Sequence, residues 1–254
     1  MALDFGYFAS IELARRGHKV YATCLYDEQI EKLNTYAKEN NLDIDSFKLD
    51  IRNENDLKKL ENIEFDTLIN NAAIGDSGSI LEVDIAKIKN VYETNVFATI
   101  NITQIVAKKF IKQGYGKMIF LSSLFGKKSM AFLAPYTMTK FSIEALCESL
   151  KIEVKKLHSA NIKIKVITPG AYATGFNMEN TVKKYEWMKE KSYFKDELNK
   201  IEETEKKTWN LIEFKSFKSI IKKYVKAVES NTSRYRYSAP FIEVLLIKLA
   251  TIFS

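Results

Sequence analysis

The feature that most constrains this chain is an alternation of two periods. Short β-branched or apolar runs at 19–23, 45–49, 65–69, 117–121 and 162–167 are separated by longer amphipathic stretches at 27–40, 55–60, 85–113 and 136–157. A parallel strand can be reached only through a crossover long enough to hold a helix, so this repeat is the pattern of βαβ units. Right-handed crossovers put the helices on both faces, and the expected fold class is α/β with a doubly wound parallel sheet. Such sheets bind ligands beyond the carboxyl ends of their strands. The polar motifs of this sequence fall at those ends: Asn70-Asn71-Ala72, Ser122-Ser123 and Pro169-Gly170.

Composition narrows the classes. A chain of 254 residues with 46% hydrophobic and 28% charged residues suits one globular domain spanning 1–254. Its net charge of +7 comes from scattered Lys, with Arg only at Arg15, Arg16, Arg52, Arg234 and Arg236. Nucleic-acid grooves cluster Arg with aromatics, so no nucleic-acid partner is expected. Cys24, Cys147, His18 and His158 are too few and too scattered for a metal site or a disulfide framework. No leader and no apolar run near the ~20 residues of a spanning helix is seen, so a soluble, cytoplasmic protein is expected.

The strongest chemical constellation is Tyr136-Thr137-Met138-Thr139-Lys140, opening a helical stretch after Ser122-Ser123. Residues four apart share a helix face, which brings the Lys140 ammonium toward the Tyr136 phenol. A nearby positive charge favours the phenolate and is expected to lower the phenol's pKa, so that Tyr136 exchanges a proton near neutral pH. Carbonyl reduction and alcohol oxidation need such a group, because hydride moves to or from carbon while a proton moves to or from oxygen.

In order and spacing, Ser123, Tyr136 and Lys140 resemble the classical short-chain dehydrogenase/reductase family, and matches run along nearly the whole chain. The resemblance implies a Rossmann-like fold and an NAD(P)-dependent oxidoreductase acting on an alcohol or carbonyl. It implies that Ser123 hydrogen-bonds the substrate oxygen, that Tyr136 is the general acid/base and that Lys140 also contacts the nicotinamide ribose. Asn95 resembles the helix asparagine that helps hold a water of the proton relay. Asn71 and Ala72 match the cofactor-side motif after a strand, although Ala73 stands where the family usually has Gly. Asp50 resembles the residue beside the adenine ring, with a capping acid as the alternative reading. Pro169, Gly170 and Thr174 resemble the turn that lies against the nicotinamide.

Residues 176–215 then form a substrate lid, whose Trp187, Tyr193, Phe194 and Trp209 either cover an apolar alcohol, ketone or steroid-like substrate or pack the lid helices. After the strand ending at Thr23, Cys24, Leu25 and Tyr26 offer no acid to bond a ribose hydroxyl or repel a phosphate. NADP is therefore favoured over NAD. The family commonly forms homodimers and homotetramers through the helices around Asn95 and Tyr136. Nucleotide-sugar epimerases of the extended branch share the Tyr and Lys, but the 84 residues after Gly170 are few for their substrate domain.

One departure stands out. A dinucleotide fold opens with a buried strand and a Gly-rich turn, whereas this sequence runs from Met1 to Gly6 straight into a helix at 8–16. The first strand is therefore expected to be missing, and Gly6 reads either as the last glycine of such a turn or as a loop glycine. Two expectations follow: that residues upstream of Met1 supply the missing part, or that a non-enzymatic relative binds cofactor poorly and serves as a binding or regulatory protein. At the other end, residues 241–254 are apolar apart from Glu243 and Lys248. They read as an interfacial or docking helix, or as one tucked against the sheet or a neighbouring subunit.

Overall fold

The computed structural model describes residues 5–252. Alternation within two strands sets its layers. In β4 (Tyr115–Leu121) and β5 (Asn161–Pro169), Met118, Phe120, Ile162, Ile164 and Val166 all join one core. There they meet Ile102, Val106 and Phe110 of α5 (Thr99–Gln113) and Ile143 and Cys147 of α6 (Ala134–Val154). The intervening Ile119 and Ile167 join a second core with Ile220, Tyr224 and Ala227 of α9 (Lys218–Glu229). Successive side chains of a strand leave opposite faces, so both faces carry helices, each fully buried large side chain contributing about 1.5–3 kcal/mol.

The parallel sheet is in two pieces. β3 (Thr67–Asn70), β4, β5 and β6 (Arg236–Ala239) pair in that order, while, among the described residues, β1 (Val20–Cys24) and β2 (Ile44–Lys48) pair only with each other. Helix α1 (Phe5–Arg15) bridges them: its Ala9 joins the core shared by β4, β5 and α9, and its Ile11 packs with Ala22 of β1 and Leu33 of α2 (Asp27–Glu39). At its C-terminal end Arg16 grips Glu229 of α9 through a two-pronged pair of 2.6 and 2.9 Å. Gly6 lies inside the first turn of α1, where the last glycine of a turn that opens a helix would stand, so it is not a loop glycine. Residues 1–4, on which the expectation of a missing strand bears, lie outside the described residues.

Two elements depart from the sequence reading. The helix expected at 85–113 is built of α4 (Ile85–Tyr92), a π-helical turn at 93–98 and α5. The chain after 230, where the sequence shows no strand run, holds β6, whose four residues are too few to show a strand period. Its pairing beside β5 and the burial of Tyr237 and Ala239 make it a strand. The last helix, α10 (Phe241–Ile252), turns Glu243 toward the sheet and leaves Phe241, Ile242, Leu245 and Leu246 exposed. The side chain of Lys248 lies outside the described residues.

Lys117, Lys163 and Lys165 sit on the α9 side of β4 and β5, where apolar residues would be expected. Their ammonium groups reach the carbonyls of Val228, Asn231 and Ser230 at the end of α9. A helix leaves its last carbonyls without partners and carries partial negative charge there, so three cations satisfy what an apolar face would strand. Burial and the neighbouring Lys165 and Lys163 push Lys117 down to about 8. With the folded value below the unfolded one, the penalty for holding this charge is full below about pH 8 and gone above about pH 10.5. The denaturant midpoint of wild type should therefore rise relative to that of Lys117→Met across this window. A difference that is flat in pH rejects the assignment.

Candidate functional site

The carboxyl end of β4 delivers Ser122 and Ser123, and α6 begins a loop later with Pro135 in its first turn, where a missing N–H costs nothing. Ser123 caps the short 3-10 turn at 124–126, its hydroxyl oxygen accepting from the Phe125 N–H at 3.1 Å. That leaves the hydroxyl proton for the Tyr136 phenol, with which it hydrogen-bonds. Lys140, one turn along α6, is buried, donates to the Leu121 carbonyl at the end of β4 at 2.9 Å, and lies 5.6 Å from the Tyr136 ring centre. Ser123, Tyr136 and Lys140 are thus brought together.

Their electrostatics correct the sequence reading. Lys140 was expected to lower the pKa of Tyr136; instead burial raises it above its ordinary value, and only the Ser123 hydrogen bond pulls it back. Burial also pushes Lys140 down to about 8, with Cys147 and Glu144 opposing the shift. Desolvation disfavours both charged forms, and the ammonium is spent on a carbonyl instead of the phenol oxygen. As arranged here, Tyr136 keeps its proton at neutral pH.

Asn95 lies in the π-helical turn, buried, and its amide is fully engaged. It accepts from the Ile74 N–H at 2.8 Å, donates to the Ile74 carbonyl at 2.9 Å and donates to Thr139 at 3.1 Å. The inserted residue of a π turn re-aims a side chain, and here it ties the loop after β3 to the helix turn that carries Lys140. In that loop Asn71 accepts from the Tyr224 hydroxyl of α9 at 2.7 Å, and Ala72 is exposed.

The remaining sequence-derived positions are more dispersed. Asp50 follows β2 and spends its carboxylate on the Arg52 backbone and guanidinium, which hold it below its usual range. Asn53, not Asp50, caps α3 (Glu54–Leu57). Arg52 also lies close enough to Tyr26, just past β1, to feel its phenol. Pro169 ends β5 and Gly170 follows, but a Cβ at 170 would stand 1.7 Å from a Glu243 oxygen, and the same oxygen accepts from the Ala171 N–H at 2.8 Å. Thr174 turns its hydroxyl to the Phe176 N–H, opening α7 (Phe176–Lys191).

A narrow cleft, with free space of only about 10 Å³, lies beside Tyr136. Phe125, Phe176 and Trp209 make its apolar walls, and Asp76, Asn180, Thr181 and Glu205 its polar ones. Of the four aromatics expected over a substrate, only Trp209, on α8 (Leu198–Ile212), lines it. Phe194 packs with Phe132, and Tyr193 is exposed. The sequence reading missed Glu205, on which Lys184, Tyr185, Trp209 and Thr181 converge, and also Glu144 and Arg236. Glu144 is four residues beyond Lys140, so a helix-face plot of α6 would have found it.

Gly126 is a third omission. A Cβ there would stand 2.9 Å from both the Lys140 backbone oxygen and the Ser122 hydroxyl. Gly126→Ala should therefore push the 3-10 turn off α6, lower the melting temperature and weaken turnover together. A variant with wild-type values for both would show that the turn has slack.

These motifs and this geometry agree with the comparison to known proteins. The short chain dehydrogenase family matches residues 4–185, and the chain belongs to that family. Over 177 residues it is 32% identical to the uncharacterized oxidoreductase YusZ of Bacillus subtilis, covering 67% of this chain and 62% of that protein. It is 29% identical over 173 residues to 3-ketodihydrosphingosine reductase of Bacteroides thetaiotaomicron, covering 68% and 61%. The chain thus spans less than two thirds of these relatives' length. A short-chain dehydrogenase/reductase from Burkholderia phymatum, solved in complex with NAD, superposes with a TM-score of 0.79 over 95% of this chain and 87% of that one, at 15% identity. At that identity the likeness is one of fold. Among the described residues no helix is long and apolar enough to cross a membrane.

Proposed function

We propose that this protein is an NAD(P)-dependent oxidoreductase that interconverts a secondary alcohol and a ketone, with Tyr136 as general acid/base. The observation that carries the reading is the convergence of Ser123 and Lys140 on Tyr136, which lines a narrow cleft. A bound nicotinamide supplies the hydride that reaches the carbonyl carbon. Ser123 orients the carbonyl oxygen, Tyr136 delivers its proton to that oxygen, and the nearby Lys140 ammonium offsets the negative charge left on the phenolate. Asn95 keeps the turn bearing Lys140 against the loop after β3. Helices α7 and α8 act as the lid and exclude water.

The residues at the strand ends suit a nicotinamide dinucleotide at both extremes: a proton donor and a buried cation at the reacting end, and a carboxylate-free turn beside Arg52 at the ribose end. The absence of an acid at Cys24, Leu25 and Tyr26 supports NADP over NAD. Phe125, Phe176 and Trp209 support a substrate with an apolar body, in line with the lipid ketone named for one relative. Exposed Phe97 of the π-helical turn and Met138, Phe141 and Ile152 of α6 support a homodimer or homotetramer built on these elements, and the cytoplasm remains the proposed location. Fluorescence titration with NADPH and NADH tests the reading. Tighter NADPH binding that weakens in Arg52→Ala supports it, and binding of neither nucleotide overturns it.

A further inference from the structure

Glu144 lies one turn beyond Lys140 and two turns beyond Tyr136 on the same face of α6, buried where a charge needs a reason to be. Four elements meet at its carboxylate. Ser122, at the end of β4, donates to Oε1 at 2.6 Å, and Lys127, just past the 3-10 turn, stands 2.9 Å from Oε2. Arg236, in β6, donates Nη1 to Oε1 at 2.7 Å and Nη2 to Oε2 at 2.5 Å, while the same Nη1 reaches Thr168 of β5 at 2.8 Å. Burial alone would raise the Glu144 carboxyl, yet the hydrogen bonds from Arg236, Ser122 and Lys127 hold it below its ordinary range. It is an anion throughout the neutral range.

Lys140 needs such an anion. The groups facing it are Tyr136, Glu144 and Cys147 on its own helix and the Leu121 carbonyl and Ser122 on β4, with Lys127 and Arg236 behind Glu144. Burial keeps the Tyr136 phenol and the Cys147 thiol protonated, since it raises both. Glu144 is then the one negative charge among these groups, set against the desolvation that drives Lys140 toward its neutral form.

We propose that Glu144 is a positioning residue: through its bridge to Arg236 and Ser122 it holds the end of β4 against α6 and keeps the Lys140 ammonium charged, without touching a reacting atom. A salt bridge that served stability alone would not need to stand beneath this lysine, and buried pairs are poor sources of stability in any case. The proposal rests on the reading of Ser123, Tyr136 and Lys140 given above.

The test reads the charge of Lys140 directly. In protein labelled with carbon-13 lysine, the Cε resonance that disappears in Lys140→Arg is followed against pH in the full chain. Glu144→Gln should lower its midpoint by about one pH unit or more, a tenfold or greater loss of proton affinity, and Glu144→Asp should restore most of it. If Glu144→Gln fails to fold because Arg236 is left unpaired, Glu144→Gln combined with Arg236→Met removes that charge, and the midpoint should still fall. A midpoint unmoved in the folded variant overturns the proposal. The pH dependence of kcat with NADPH and 9,10-phenanthrenequinone is measured alongside, and its limb should move with the Lys140 midpoint. A midpoint that moves while kcat does not would leave Glu144 outside turnover and equally overturn it. Tyr136→Phe is the control: retained turnover there refutes the site reading itself, whatever the Lys140 midpoint does.

Discussion

Tyr136→Phe should lower kcat about a hundred-fold to ten-thousand-fold, the contribution expected of a positioned general acid, while leaving nucleotide binding and melting temperature close to wild type. The substitution removes only a hydroxyl, whose hydrogen bond is to Ser123, and keeps the ring that packs 5.5 Å from Phe176. Because burial raises the phenol above its ordinary value, the proton-donating form dominates at neutral pH, and reduction should hold its rate across that range. Oxidation, which needs the phenolate, should climb with pH. Steady-state rates in both directions, with wild type and variant side by side, check this. Full turnover by Tyr136→Phe would sink the assignment of the acid.

The largest loss of stability is expected at Glu205. Its carboxylate accepts from Lys184 at 2.7 and 2.6 Å, from Tyr185 at 2.6 Å and from Trp209 and Thr181 at 3.1 Å each. Lys184 is almost wholly buried, so Glu205→Ala strands an ammonium and three further donors between α7 and α8. Breaking one side of a buried pair costs about 3–5 kcal/mol. For a chain of this size that corresponds to a melting temperature lower by about 6–20 °C. Replacing both partners, Lys184→Met with Glu205→Leu, should recover most of the loss because no charge is left uncompensated. Calorimetry on the single and double variants decides: equal destabilisation would mean that the pair's packing, not its charge, holds the two helices.

The reach of the sequence differs between the halves of this site. Tyr136 and Lys140 are four residues apart on one helix, so local geometry alone brings them to one face, and Ser123 follows because a parallel strand must end on the same edge as its neighbours. Asn95 was legible as a helix residue but not as a π turn, since its partner Ile74 is set by how the loop after β3 folds back. The charge balance of the site was misread for a similar reason. Spacing says that Lys140 is near Tyr136, but only packing says that both are desolvated and that Leu121 takes the ammonium. Lid aromatics met the same limit: Trp187, Tyr193 and Phe194 announce a ring-rich segment, and tertiary contacts decide that Trp209 alone of the four lines the cleft.

What the sequence by itself determined are the properties that repeat along the chain: the alternation of strand and helix periods, the parallel order it forces, and the motif residues at strand ends. Periodicity is a local property, and the backbone enforces it whatever the rest of the chain does. What only the tertiary structure decided are the pairings across long separations. Lys117 caps a helix more than a hundred residues away, Arg236 closes on Glu144, and β6 becomes a strand only beside β5. Each of these depends on a buried polar group finding its partner, a demand that arises only once water is excluded and that local sequence therefore cannot display.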